Sequence, residues 1–112
     1  MSFSNEQFKE NWNKFRNFVI CKDALPIGFL SYILDTHSLY IRDMHICAPE
    51  RTKGYGTKIM NQLFDIAEIN KCTQMRLRVF GDTQAVFFYK RFGFEIVRNE
   101  GSIVGMEVIV AV

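Results

Sequence analysis

Apolar side chains recur along the chain at two periods, which predict helices in some segments and strands in others. Near the N-terminus, a four-three-four spacing predicts one buried helical stripe, formed by Phe8, Trp12, Phe15 and Val19. Ser4 can cap the start of this helix. Six short runs of branched and aromatic residues instead predict the strands of one sheet. In chain order they are FVICK, FLSYIL, LYIRDMHI, MRLRV, FEIVRN and IVGMEVIV.

A longer helix is predicted from about Thr57 to Lys71, directly after a loop that contains two glycines. Apolar residues spaced three and four apart should form its buried face. They are Ile59, Met60, Leu63, Phe64 and Ala67. The polar residues between them should face water: Lys58, Asn61, Gln62, Asp65 and Glu68.

A short helix is expected after the strand MRLRV, capped by Asp82 or Thr83 and ended by Gly93. The segment DALPIG is expected to be a turn that contains Pro26 and Gly28. Strand–helix–strand then occurs twice, so parallel pairs with right-handed crossovers are expected beside antiparallel hairpins. The pattern therefore predicts an α/β fold with a mixed sheet.

The chain has 112 residues, 48% of them hydrophobic, which predicts a single domain over 1–112 with a substantial core. Its net charge of +2 is too small to indicate a nucleic-acid binder, and no apolar run is long enough to predict a membrane span. Three widely spaced cysteines without a Cys-x-x-Cys pair indicate reduced thiols and a cytoplasmic protein. His37 and His45 lack metal-ligand spacing, so no metal site is expected.

The loop before the long helix combines glycine with positive charge. Gly54 and Gly56 would let an oxygen approach the backbone at the helix N-terminus, where unpaired N–H groups favour phosphate. Arg51, Lys53 and Lys58 add positive charge there. The alternative is a Gly-containing turn with solvated lysines. The spacing of a P-loop is absent, and a dinucleotide fingerprint would need a third glycine.

A second motif, DTQAVFFYKRFGFE, follows the next strand, and with the loop it resembles the GNAT superfamily of acyl-CoA-dependent N-acetyltransferases. The family's loop pattern, Gln/Arg-x-x-Gly-x-Gly/Ala, is matched by Arg51, Gly54 and Gly56. In its later motif, Asp82 replaces the usual Asn and Arg91 the usual Lys. The matching residues of that motif are Ala85, Phe88, Tyr89, Gly93 and Phe94. The resemblance covers the chain from Phe29 to Val110.

This resemblance implies a mostly antiparallel central sheet flanked by helices, in which one parallel strand pair splays apart. It also implies acetyl-CoA as co-substrate, with the pyrophosphate on the loop N–H groups and the pantetheine arm along one strand. The residues implied to bind it are Met44, His45, Ile46, Arg51, Thr52, Lys53, Gly54, Tyr55, Gly56, Thr57 and Lys58.

The implied chemistry is direct attack of an amine on the thioester. The N–H of Ile46 would donate to the developing oxyanion, and Tyr89 would protonate the departing thiolate. The alternative for Tyr89 is a core aromatic in a Phe-rich helix. Some family members use a Glu as base, but Leu77 stands at that position. The base is therefore left open between Asp43, His45, Glu50 and ordered water.

The usual first strand and first helix of the family are expected to be absent, because the chain opens with what matches the second helix. The acceptor groove would then be open or completed by another subunit. The apolar end VIVAV predicts an edge strand that pairs two chains in a homodimer, although the family's strand order would place it inside the sheet. Arg76 and Arg78 either deter edge pairing or mark an acidic substrate.

The function predicted from these motifs is an acetyl-CoA-dependent N-acetyltransferase that acts on a primary amine of a peptide, protein or small molecule. A non-catalytic acetyl-CoA-binding module that regulates a partner is the alternative, because no base is identified. A third hypothesis is a nucleic-acid binder that uses Arg76, Arg78, Lys90 and Arg91.

Overall fold

The computed structural model describes residues 2–5, 16–47 and 53–110. They form seven strands and two helices. The strands are β1 (Ser2–Asn5), β2 (Arg16–Lys22), β3 (Leu25–Leu34), β4 (Ser38–Ile46), β5 (Gln74–Phe80), β6 (Glu95–Glu100) and β7 (Ile103–Ile109). The helices are α1 (Tyr55–Ile69) and α2 (Gln84–Lys90).

The strands form one sheet in the order β1-β2-β3-β4-β5-β7-β6. Neighbouring strands are antiparallel except β4 and β5, which pair in parallel from Ser38 with Gln74 to Ile41 with Leu77. α1 connects this parallel pair, as such a crossover requires. The predicted α/β class and the mostly antiparallel sheet are thus confirmed. The second strand–helix–strand unit makes no parallel neighbours, because β7 lies between β5 and β6.

One face of the sheet packs against both helices in a single core cluster. The buried strand residues at its centre are Leu39, Ile41, Met75, Leu77 and Met106. Because side chains alternate along a strand, the residues between them on β5 and β7 point to the opposite side, here called the outer face. The outer face carries Arg76, Arg78, Gly105 and Glu107.

α1 divides its apolar and polar residues as predicted. Four of the five apolar residues are buried: Ile59, Met60, Leu63 and Ala67. The fifth, Phe64, is half-buried and meets the ring of Phe94 edge-on, with ring centres 6.3 Å apart. α1 begins two residues before the predicted start, because Gly54 adopts a left-handed conformation (φ 83°) and the helix follows it directly.

α2 begins after Thr83, but the Thr83 hydroxyl donates to the carbonyl of Phe80 at 2.9 Å and does not cap the helix. Gly93, with φ 96°, follows its C-terminal turn as predicted. The helix is short, and only Val86 and Tyr89 are buried along it.

The predicted N-terminal helix is wrong at both ends. Ser4 lies in β1 directly opposite Val19 in β2, so neither residue belongs to a helix. Phe8, Trp12 and Phe15 lie outside the described residues. A short apolar run can fit the helical period and the strand period equally well, so the spacing alone does not distinguish them. The pairing of β2 with both β1 and β3 makes Val19 a strand residue. β1 also corrects the expectation that the first strand is absent.

The segment DALPIG contains a turn as predicted, but only at its first two residues, and Pro26 and Gly28 lie inside β3. The chain reverses at Asp23 and Ala24, which have φ values of 52° and 70°, as expected of a two-residue hairpin turn. Pro26 is tolerated in the strand because the β2–β3 register shifts beside it, opposite Cys21.

Candidate active site

The parallel strands β4 and β5 separate where the candidate site begins. Pairing stops after Ile41 and Leu77, although β4 continues to Ile46 and β5 to Phe80. A cleft of about 700 Å³ opens at this point. Its walls come from β4, β5, α2 and the start of β7. The cleft is lined by Ile41, Arg42, Asp43, Met44, His45, Leu77, Arg78, Val79, Phe80, Thr83, Ala85, Tyr89 and Ile103.

A bulge in β4 sets which side chains face this cleft. Ser31 pairs with Asp43 and Tyr32 with Ile41, so Arg42 is the extra residue that β4 inserts between these two pairs. Beyond the bulge the alternation is regular: Asp43 and His45 are exposed, while Met44 is half-buried and Ile46 is buried. The predicted division of these four residues between two faces is therefore confirmed.

The backbone groups of Met44 and Ile46 face away from β3. Gly28 packs so closely on β4 that an added Cβ would overlap the carbonyl oxygen of His45, which shows that this carbonyl faces β3. The backbone groups of successive strand residues point in opposite directions, so those of Met44 and Ile46 face away from β3. Only a glycine at position 28 allows this close approach.

Tyr89 places its phenol at the cleft wall from α2. The side chain is 5% exposed and packs edge-on between the rings of Phe88 and Phe94, at 5.1 and 5.5 Å. Burial raises the pKa of Tyr89 to about 12, so the hydroxyl keeps its proton at physiological pH. Within the described part of the chain, the hydroxyl has no hydrogen-bond partner. It is a protonated donor without an acceptor.

Two titratable side chains of β4 line the same cleft. Asp43 forms a long ion pair with the neighbouring Arg42, at 3.7 Å between Oδ2 and Nε. His45 stacks on Phe29, with ring centres 5.4 Å apart. Both side chains are exposed to solvent. Glu50, the third residue considered as base, lies outside the described residues.

The N-terminus of α1 forms a second, positively charged part of the site. Its first turn has no acidic residue and no side-chain cap, although both usually stabilise a helix start. The Tyr55 ring instead lies beside two lysine ammonium groups, 5.8 Å from Lys22 and 5.9 Å from Lys58. Arg51 and Thr52 lie outside the described residues. Lysines near the positive end of the helix dipole do not stabilise the helix, but they favour binding of an anion there.

The two parts of the site touch through Gly56 and Phe88. A Cβ on Gly56 would lie 3.1 Å from Cζ of Phe88, the residue that precedes Tyr89. Gly56 therefore keeps the first turn of α1 close to α2. The remaining predicted loop residues, Lys53 and Thr57, are exposed at the same helix end.

Sequence reasoning missed several residues of the site. Arg42, Phe80 and Thr83 line the cleft, and Lys22 reaches the α1 N-terminus from β2. No local pattern marks them, because Arg42 depends on the bulge and Lys22 on a contact between distant segments. Arg78 also lines the cleft, where an ion pair of 2.6 Å holds it to Glu100.

The arginines of β5 do not have the role predicted from an edge strand. β5 is internal, so Arg76 and Arg78 do not deter edge pairing. Both are matched with acids across the outer face: Arg76 with Glu107 at 3.4 Å, and Arg78 with Glu100. Arg91 lies elsewhere, over the ring of Phe88 after α2. The four basic residues considered for nucleic-acid binding thus divide between the outer face and the end of α2.

Metal-ligand clusters and membrane-spanning helices are both absent from the described residues. Within 2–5, 16–47 and 53–110, no three His, Cys, Asp or Glu residues are grouped as metal ligands would be. In the same ranges, neither helix has the length and apolarity to cross a membrane. Cys21, Cys47 and Cys72 are free thiols.

Comparisons with known proteins point to one family. A family model described as Acetyltransferase (GNAT) family matches residues 2–94. N-alpha-acetyltransferase 50 of Danio rerio is 36% identical over 64 residues, which are 55% of this chain and 38% of that protein. The chain thus matches well under half the length of this relative.

Solved structures share the fold. The PaiA N-acetyltransferase of Thermoplasma acidophilum, in complex with coenzyme A, superposes with a TM-score of 0.78 at 20% identity, over 86% of this chain and 61% of that one. The ribosomal-protein-S18-alanine N-acetyltransferase of Escherichia coli superposes with a TM-score of 0.79 at 16% identity, over 93% and 74%. At these identities the likeness concerns the fold alone.

Proposed function

Because the chain belongs to the GNAT acetyltransferase family, we propose that it is an N-acetyltransferase that moves an acetyl group from acetyl-CoA to a primary amine. The observation that carries this proposal is the opening between β4 and β5. It brings Met44 and the protonated hydroxyl of Tyr89 to one cleft. The backbone of Ile46, further along the same strand, also faces away from β3, and the N-terminus of α1 suits phosphate. Acetyl-CoA supplies the thioester to be attacked.

The β4 edge and the α1 N-terminus are the proposed binding elements. Met44 and Ile46 can pair with the amide groups of a pantetheine arm, as one strand pairs with another. The N–H groups at the start of α1, with Lys58 and Lys22, favour the pyrophosphate. The absence of an acidic residue from the first turn of α1 supports this assignment.

In the proposed reaction, the amine nitrogen attacks the carbonyl carbon and the carbon–sulfur bond breaks. The Ile46 N–H donates to the carbonyl oxygen as negative charge develops there. The amine loses one proton to Asp43, His45 or water, and the departing thiolate takes up one proton from water, so no net proton is gained or lost. Because the pKa of Tyr89 is about 12, complete transfer from Tyr89 to a thiolate of ordinary pKa is unfavourable. Tyr89 therefore acts chiefly as a hydrogen-bond donor to the departing sulfur.

The proposed acceptor class is a polypeptide α-amine. One relative with substantial identity is named an N-alpha-acetyltransferase, although the match covers 38% of it. The wide, partly apolar cleft wall at Phe80 and Ile103 suits a peptide better than a small polar amine. We place the protein in the cytoplasm, where acetyl-CoA and polypeptide amines meet.

A panel of acceptors tests this function. Purified protein is mixed with acetyl-CoA and peptides with a free α-amine, with the same peptides N-terminally blocked but carrying an internal lysine, or with a polyamine. The proposal predicts release of free CoA thiol in step with acetylation of the unblocked peptides, detected by mass spectrometry. If acetyl-CoA binds tightly but no acceptor is acetylated, the protein is the alternative, a non-catalytic acetyl-CoA-binding regulatory module.

A further inference from the structure

The β6 edge of the sheet carries apolar residues that the chain leaves exposed. β6 pairs with β7 on one side only and is the last strand in the sheet order. All six of its residues are exposed, and Ile96 and Val97 retain 42% and 50% of their accessible surface. An exposed apolar strand edge is a template for pairing with another chain.

The charges on this edge are poorly satisfied within one chain. Glu95 lies directly opposite Glu107 on β7, a like-charge arrangement that disfavours the pairing. Within the described residues, Glu95 has no ion pair, whereas Glu107 is paired with Arg76. Arg98 has only a long contact of 3.8 Å with Glu100, which Arg78 already engages at 2.6 Å. Glu95, which has no ion pair, and Arg98, which has a long one, thus lie three residues apart.

A bulge places these two charges on the same face. Glu95 pairs with Glu107, Ile96 with Met106 and Arg98 with Gly105, so Val97 is the extra residue. Partners across a ladder share a face, and Glu107 and Gly105 are two residues apart on β7. Glu95 and Arg98 therefore both lie on the outer face, on either side of Ile96. In a regular strand, residues three apart would lie on opposite faces.

We propose that two copies of this chain form a homodimer by antiparallel pairing of their β6 strands about a two-fold axis at Ile96. The axis sets Ile96 beside Ile96 of the second copy. Because Val97 is the extra residue of a bulge and takes no position of its own in the ladder, the axis also brings each Glu95 opposite Arg98 of the other chain, on the same face of the joined sheet. The segment Glu95–Arg98 is in this sense complementary to itself, as a symmetric interface requires.

This interface differs from the one predicted from the sequence. The prediction placed the pairing on the C-terminal strand, but β7 is internal, between β5 and β6, and Ala111 and Val112 lie outside the described residues. The β6 interface is also connected to the cleft by the ion pairs that Glu100 makes with Arg98 and Arg78. Once Arg98 binds Glu95 of the second copy, Glu100 keeps its ion pair with Arg78, and Arg78 lines the cleft.

Charge exchange tests the pairing. The proposal predicts a mass of twice 13.1 kDa for the wild type by light scattering at micromolar concentration. Glu95→Lys and Arg98→Glu each set two like-charge pairs across the axis, and each should raise the dimer dissociation constant at least about tenfold. The double variant Glu95→Lys/Arg98→Glu should return it to within about threefold of the wild type. Glu95→Lys is not expected to destabilise the fold, because it places a positive charge opposite Glu107.

A matched apolar pair locates the interface. Ile96→Asp should give monomers, whereas Ile69→Asp, on the exposed end of α1, should leave the dimer intact. A wild type with the mass of one chain refutes the proposal. So does a dimer that resists Glu95→Lys and Ile96→Asp, or one that Ile69→Asp dissociates. Acetyl transfer is not needed for any of these readouts, so they are independent of the proposed function.

Discussion

A Cβ atom on Gly56 would lie 3.1 Å from Cζ of Phe88, so the first turn of α1 packs directly on the residue that precedes Tyr89. The helix end proposed to hold phosphate and the helix that carries Tyr89, the proposed hydrogen-bond donor to the departing sulfur, are thus in contact. Gly56 has a packing role that the sequence motif alone does not reveal. Any test of its phosphate role must separate the two effects.

Gly56→Val should weaken acetyl-CoA binding at least tenfold, or about 1.4 kcal/mol, measured by calorimetry on folded protein. Two causes are possible: obstruction of the phosphate and displacement of Phe88. The double variant Gly56→Ala/Phe88→Leu separates them, because the smaller side chain makes room for the added methyl group. If glycine is needed for phosphate, affinity stays low in the double variant. Recovery of wild-type affinity would leave Gly56 with packing alone.

Gly28→Ala should destabilise the protein by about 1 to 3 kcal/mol, because the added methyl group overlaps the His45 carbonyl and forces β3 away from β4. Since that displacement moves the backbone of Met44 and Ile46, acetyl-CoA affinity should fall as well. Denaturant unfolding and calorimetry measure the two effects. Gly105→Ala is the control, because its Cβ would make only ordinary contacts with Arg98. Equal effects of the two substitutions would contradict the special role of Gly28.

The features that sequence reasoning predicted are those with local signals. α1 shows a regular apolar period over fifteen residues, and the two motifs lie at fixed positions relative to their helices. Met44, His45 and Tyr89 were predicted from the resemblance, and the structure brings them to one cleft. Periodicity and motif spacing are enough when the element is long or its sequence is distinctive.

The features it missed depend on contacts between distant segments. Val19 fits a helical stripe until pairing with β1 and β3 makes it a strand residue. The internal position of β7 follows from strand order, which a strand's own composition does not encode. Lys22 reaches Tyr55 only because β2 ends near the start of α1. Bulges, such as the one at Arg42, are likewise set by pairing and not by local propensity.

Tyr89→Phe should lower turnover while acetyl-CoA affinity stays close to that of the wild type, because the ring and its packing remain and only the hydroxyl is lost. Stability should change little, since the hydroxyl has no hydrogen-bond partner among the described residues. Steady-state kinetics and calorimetry measure these effects. Tyr40→Phe, on another half-buried tyrosine outside the cleft, is the matched control. Undiminished turnover of Tyr89→Phe across the pH range would remove Tyr89 from the mechanism.

The raised pKa of Tyr89 predicts a loss of stability in alkali. The unfolded chain releases this proton near pH 10, whereas the folded protein keeps it until about pH 12. Stability from this group is therefore fully present below about pH 10 and is lost as the pH rises towards 12, by about 3 kcal/mol in all. Burial also raises the pKa of Tyr32, which adds to the loss. Urea unfolding at a series of pH values measures the slope, which Tyr89→Phe should reduce. An unchanged slope in that variant would contradict the assignment.

The most direct test of the proposed site is an NMR titration of the isotope-labelled protein with acetyl-CoA. Binding at the proposed site predicts that the amide signals of Met44 and Ile46 on β4, of Gly54 to Lys58 at the start of α1, and of Tyr89 shift together and saturate at one ligand per chain. The signals of Lys71 and Asn70, at the far end of α1, should stay unchanged. Absence of shifts at saturating acetyl-CoA, or shifts confined to residues outside the β4–β5 opening, would contradict it.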